Sequence, residues 1–132
     1  DVSVHVPLIM RIPGIKPQVI KELTQNIDIS PTILELLGET KQKIDGKSLI
    51  ELIKKGKKIR DKIFAFEGFC NKSTMVRTKK RKLIIHDGSK CYLCGAIHGQ
   101  RKEEYDLERD PQEINNIYSG KSTLEKELKK FE

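Results

Sequence analysis

The stretch NIDISPTILELLG, residues 26–38, constrains the fold of this chain more than any other. Ser30 can accept a hydrogen bond from an exposed amide of a first helical turn, and Pro31 suits the N1 position, where no N–H is needed. Ile29 and Leu34 can close a hydrophobic staple. Ile33, Leu34 and Leu37 make one apolar face, and Gly38 suits a left-handed stop. The expected helix has about two turns, which is marginal in isolation, so its stability must come from a tertiary surface beneath its apolar face.

The same economy governs IDGKSLIELIKKG (44–56), where Ser48 is the expected cap, Leu49, Leu52 and Ile53 the apolar face, and Gly56 the stop. Upstream, HVPLIMRIPG (5–14) is a continuous apolar run closed by Pro-Gly. It reads as a strand buried on both faces inside a sheet. From Lys57 onward the pattern changes to short strands: KIFAFEG (62–68), TMVRT (74–78) and KLIIH (82–86), the last two flanking a basic turn as in a hairpin. EEYDLERDP (103–111) adds a brief strand and a turn. Asp110, Pro111 and Glu113 have the spacing of a capping box, and so do Ser122 and Glu125; a terminal helix with Leu124, Leu128 and Phe131 on its apolar face is expected. The fold class expected is α+β, a small antiparallel sheet with helices. Residues 57–132 form that subdomain, and 1–56 supply a strand and two short helices.

With 132 residues, one domain with its own core is the default. An apolar fraction of 36% beside 34% charged residues of mixed sign indicates a folded, soluble chain. No apolar run approaches the roughly 20 residues of a membrane span. The opening DVSVHVPLIM lacks the basic region and cleavage site of a signal peptide, so a cytoplasmic location without a membrane partner is expected. That opening also lacks Met and enters a strand-like run almost at once, which reads as a piece of something longer.

The charge of +7, from 26 basic and 19 acidic residues, gathers in KKGKKIRDK (54–62) and RTKKRK (77–82). One reading is attraction to a polyanion; the other is a solvated loop and a strand edge guarded by lysine. No aromatic ladder interleaves with these residues, which disfavours nucleic acid as the partner. A different chemistry is suggested by Cys91, Cys94 and His98, spaced C-x2-C-x3-H, with Cys70 available as a fourth ligand. That set has the residue types and number of a Cys3His zinc site. A Gly-rich loop with reduced cysteines and a redox pair are the alternatives, although no thioredoxin-like β-α-β pattern surrounds the pair.

Five phrases in order resemble the C-terminal third of a sulfatase of the alkaline phosphatase superfamily. HVPLIMRIPG is similar to that family's R-V-P-L strand, with His5 in place of the Arg; IDISPTILELLG is similar to its D-x-x-P-T helix. DGKSLIELI resembles D-G-x-S-L, MVRTKKRKLI the V-R-T-x-x-x-K strand pair, and YDLERDPQEINNI the closing Y-D-L-x-x-D-P-x-E-x-N-N.

The resemblance implies that residues 1–56 end a catalytic α/β domain, the helix after D-x-x-P-T packing on its large sheet, and that 57–132 are the small C-terminal subdomain. It implies a sulfuric ester hydrolase as the parent enzyme, with formylglycine made from the Cys or Ser of C/S-x-P-x-R and calcium held by hard oxygen ligands. No C/S-x-P-x-R occurs in these 132 residues. No catalytic residue can be transferred here, and the chain alone is expected to be inactive, its partner being an N-terminal catalytic portion and its substrate an anionic sulfate ester. In related enzymes loops of the small subdomain line the mouth of the substrate pocket, which makes His86, at the end of a strand, a candidate substrate-binding residue. Self-association through uncovered apolar faces is expected of the isolated chain. The rival readings are a free-standing basic module that holds an anionic polymer and an inert remnant of a truncated gene.

Overall fold

Short apolar runs separated by polar turns produce a four-stranded sheet in the order β1 (Lys62–Glu67), β2 (Ser73–Thr78), β3 (Arg81–Asp87) and β4 (Gln100–Asp106). The computed structural model describes residues 4–39, 43–68 and 72–129. β2 and β3 run antiparallel with Val76 opposite Leu83 and Ser73 opposite His86; β3 and β4 run antiparallel with Lys82 opposite Tyr105. Thr78 shapes the turn between β2 and β3, its Oγ1 accepting the N–H groups of Lys80 (3.2 Å) and Arg81 (2.9 Å). The small sheet expected from the sequence is therefore present. Its core is Val76 and Leu83 covered by Leu128 of the short helix α3 (Glu125–Leu128), with Phe64, Ile85, Tyr118 and Leu124 around them.

The segment after β4 departs from expectation. Residues 111–119 form turns and irregular chain instead of a helix. Asp110 Oδ2 accepts the N–H of Asn115 at 2.8 Å, and Glu113 has a positive φ of 58°. Its carboxylate pairs with Lys82. The ammonium of Lys82 is buried, and a buried cation demands an anion more strongly than a helix terminus demands a cap. Asn116 then completes the edge of β4: its Oδ1 accepts from the N–H groups of Glu104 and Tyr118 (3.0 Å each), and its amide donates to Lys102 O (3.1 Å). Phe131 lies outside the described residues.

Contacts divide the chain into Pro7–Ile63 and a second unit, Asp1–Val6 with Phe64–Glu132. In the first, α1 (Ile29–Leu36) follows a 3-10 turn at Asn26–Asp28, so it begins ahead of Ser30. Ser30 is not its cap. Asp28 Oδ2 instead accepts the N–H of Gln25 at 2.8 Å, anchoring the turn that feeds the helix. The stop at Gly38 is as expected, with φ +85°, Gly38 N–H on Glu35 O (3.1 Å) and Glu39 N–H on Leu34 O (2.8 Å), the paired bonds of a Schellman motif. In α2 (Ile50–Lys55) Ser48 Oγ accepts the N–H of Ile50 at 3.2 Å, and Gly56 ends the helix with φ +66°.

A polar lock joins these two helices. Asp28 and Thr32 are fully buried. Asp28 Oδ1 accepts the N–H of Lys47 (2.9 Å) and pairs with Arg60, while Thr32 Oγ1 accepts the N–H of Leu49 (2.9 Å) and donates to Asp28 O. Buried polar groups satisfied in this way fix a single register between the two segments.

The strand expected at 5–14 is not formed; these residues carry no regular secondary structure. A strand buried on both faces takes its hydrogen bonds from neighbours on either side, and none of the four strands described pairs with it. Its apolar side chains are consequently exposed, Ile9 at 94%. No helix among the described residues is long and apolar enough to cross a membrane.

Candidate functional site

Among the described residues, the loop between β3 and β4 carries the one group of three His, Cys, Asp or Glu side chains close enough to share a metal ion. Its base is set by Asp87 opposite Gln100, and a Cβ on Gly88 (φ +75°) would lie 2.8 Å from Gln100 N, so glycine is needed where the two sides converge. Farther out, Lys90 bridges Ile97 in antiparallel fashion, and Cys91 N–H donates to Ala96 O at 2.8 Å. Within this small hairpin Gly95 (φ +71°) returns its N–H to Cys91 O at 2.9 Å. The turn aims the N–H of Cys94 at Cys91 Sγ (3.5 Å) and brings Cys94 Sγ to 3.3 Å from His98 Nε2.

One ligand atom from each of Cys91, Cys94 and His98 lies within 4.8 Å of the others. Cys91 is buried; Cys94 and His98 are exposed. The N–H of Cys94 beside its sulfur holds the Cys91 thiol down to about 6, against the opposing push of burial, with the Cys94 thiol and His98 helping to lower it. These are the three residues spaced C-x2-C-x3-H in the sequence. Cys70 lies outside the described residues.

His86 sits within the sheet. Its Nδ1 is 2.8 Å from Ser73 Oγ on β2 and its Nε2 is 3.4 Å from Glu103 Oε1 on β4. Burial and then Arg101 lower its pKa below the usual histidine value, only partly opposed by Glu103. Beyond it Tyr105 donates its hydroxyl to Glu103 at 2.9 Å, and burial, reinforced by Glu103, pushes its pKa up to about 12. Sequence reading did not single out Ser73 or Glu103, because their relation to His86 comes from strand register.

The basic stretches are extensively paired. Glu51 binds Lys55 and Lys57, Lys58 pairs with Asp61, Lys80 with Glu108, and Arg81 with Glu104. Together with the buried Lys82–Glu113 pair, these contacts set much of the local positive charge beside the chain's own carboxylates.

Known proteins share this framework. Human arylsulfatase K is 30% identical over 131 residues, covering 89% of this chain and 23% of its own length. Human N-acetylglucosamine-6-sulfatase is 44% identical over 57 residues, 41% of this chain and 10% of that protein. The structure of BT4656 in complex with its substrate D-glucosamine-2-N,6-O-disulfate superposes with a TM-score of 0.59 at 26% identity, covering 80% of this chain and 22% of that one. The chain thus spans less than a quarter of the length of each of these proteins. The family described as N-sulphoglucosamine sulphohydrolase, C-terminal, matches residues 1–131. Because that match runs through every phrase that builds the helix lock and the sheet, the chain belongs to the C-terminal sulfatase family.

Proposed function

We propose that this chain completes a sulfuric ester hydrolase whose nucleophile and metal ligands lie in a preceding catalytic portion. The observation that carries this reading is a division of labour among its residues. The polar members of the family phrases, Asp28, Thr32, Thr78, Lys82 and Asn116, are engaged in holding helices, turns and strands. Several apolar residues of the first unit, by contrast, remain uncovered: Ile9 at 94%, Val19 at 87% and Leu37 at 72% exposure. An apolar helix face and run exposed in this way fit a sheet supplied by a preceding catalytic portion.

The family resemblance extends the reading to the parent's cofactors, a formylglycine nucleophile and calcium bound by carboxylate and amide oxygens. In such a parent, formylglycine and calcium held by residues of the preceding portion would supply an attacking oxygen and neutralise charge on the sulfate. The contribution of the present residues is to cover and brace the sheet that carries those groups. His86 is the residue of this chain proposed to face the substrate mouth, on the strand that leads into the β3–β4 loop.

Expressing the open reading frame as it stands in the genome tests this directly. A C/S-x-P-x-R motif upstream of Asp1, with calcium-dependent hydrolysis of a chromogenic aryl sulfate that is lost when the motif's Cys or Ser becomes Ala, is the expected result. A frame that opens at Asp1, or a longer frame without hydrolysis, overturns it.

A further inference from the structure

We propose that Cys91, Cys94 and His98 bind one zinc ion that orders the β3–β4 loop, a site independent of the sulfate-ester chemistry. Three observations converge on these residues.

Geometry comes first. In tetrahedral coordination, Zn–S of about 2.3 Å and Zn–N of about 2.0–2.1 Å put neighbouring ligand atoms roughly 3.4–3.8 Å apart. The Cys94 Sγ to His98 Nε2 distance is 3.3 Å, and all three ligand atoms fall within 4.8 Å of one another. Adjustments of an ångström or less, within reach of side-chain rotation, bring them to a common centre. Two thiolates and an imidazole suit zinc and other thiophilic metals and are poorly matched to calcium or magnesium, which take oxygen.

The second observation is the turn itself. Gly95 adopts φ +71° directly after Cys94, folding the backbone so that the Cys94 N–H faces Cys91 Sγ. An amide donor to a coordinating sulfur is the outer-shell support that metal thiolates characteristically receive. The Lys90–Ile97 bridge and the Cys91–Ala96 hydrogen bond hold this turn before any ion arrives.

Third, the loop is held by backbone hydrogen bonds and not by an apolar core. Leu93 and Ile97 are exposed. Gly88, Gly95 and Gly99 all have positive φ, which leaves the unfolded segment much conformational freedom to lose. Metal–ligand bonds can offset that loss, as in small metal-folded segments. Both sulfurs coordinate as thiolates, any proton still on them passing to solvent, and His98 coordinates through a neutral ring nitrogen. The fourth tetrahedral position goes to a donor outside this trio.

The test uses the 132-residue chain, purified without a histidine tag, reduced, and handled without oxygen. Metal analysis is expected to find about one zinc per chain. Cobalt(II) added to the zinc-free chain should give a sulfur-to-cobalt charge-transfer band with intense tetrahedral d–d bands, both abolished by adding zinc. At least two of the three thiols should become slow to react with a thiol reagent when zinc is bound. Cys94→Ser and His98→Ala should each weaken zinc binding by about a hundredfold or more, while Cys94→His should keep a tetrahedral cobalt spectrum with a weaker charge-transfer band. The wild-type readings decide the matter even if a variant fails to fold. Substoichiometric zinc with an octahedral cobalt spectrum, or thiols that react equally fast with and without zinc, overturns the proposal.

Discussion

Gly46 shows at one position why the D-G-x-S-L phrase has the form it does. Its φ is +95°, and a Cβ there would fall 2.1 Å from the carbonyl oxygen of Ile27, next to the Asp28 lock. At Gly38, with φ +85°, a Cβ would meet nothing within 4 Å. Gly38→Ala should therefore cost only the left-handed backbone penalty, about 1 kcal/mol. Gly46→Ala adds a backbone collision that must push the two halves of the lock apart, for a total on the order of 3 kcal/mol or more. Urea denaturation of the two variants separates the effects; equal losses would show that the close approach to Ile27 carries no energy. His86 gives a second prediction at this scale. Ser73 on β2, Glu103 and Arg101 on β4, and Glu67 on β1 act on an imidazole whose folded-state pKa is depressed, chiefly by burial. The fold favours the neutral ring, so its contribution is complete above the unfolded value of about 6.5 and is lost as pH falls through the lower folded value. Thermal stability measured from pH 7.5 down to 5 should decline less steeply in His86→Gln than in the wild type. Parallel curves would remove His86 from the acid response.

At the scale of elements, legibility followed how local each signal was. Gly38 and Gly56 end their helices where the sequence placed the stops, because a left-handed C′ position depends on a few neighbouring residues. The strand positions were legible from short apolar runs bounded by turns, and the β2–β3 hairpin from its basic turn. The starts of helices were less legible. The first helix begins early, through a 3-10 turn whose Asp28 binds the amide of Gln25 and also that of Lys47, nineteen residues away. Likewise Glu113, read as a capping residue, is taken by a buried lysine thirty-one positions earlier. The buried charge and the helix cap compete for one carboxylate, and tertiary desolvation outweighs a local preference of about 1 kcal/mol. The run at 5–14 fails for a different reason: its pattern describes a strand whose partners are not among the strands of this sheet. For the candidate site, the spacing of Cys91, Cys94 and His98 was readable directly, whereas the N–H···S contact and the Lys90–Ile97 bridge that shape their turn required the fold.

At the scale of the whole molecule, the two units differ in how they satisfy their apolar residues. The second closes a small core, with Val76, Leu83 and Leu128 all buried. In Pro7–Ile63, Leu23, Leu49, Ile50 and Leu52 are buried, and the structure rests heavily on the lock around Asp28 and Thr32. A saturated polar lock fixes geometry but removes little apolar area from water, and Ile9, Val19, Ile33, Leu36 and Leu37 stay exposed. Burial of such side chains is worth about 25 cal/mol per Å² of apolar surface, so any surface able to cover them has a strong drive to do so. In the proposed parent that surface is the catalytic sheet. For the isolated chain the expected cover is another copy, which predicts concentration-dependent self-association instead of a stable monomer. Sedimentation across a hundredfold range of concentration should show rising average mass, together with binding of a hydrophobic dye. Ile9→Lys combined with Leu37→Lys should shift the chain toward monomer and reduce dye binding without loss of the sheet's circular-dichroism signal, because both changes lie outside the core built on Val76 and Leu83. A wild-type chain that remains monomeric over the whole range, with no dye response, would mean that these side chains find cover within the chain in solution, and the case for an uncovered docking face would fall with it.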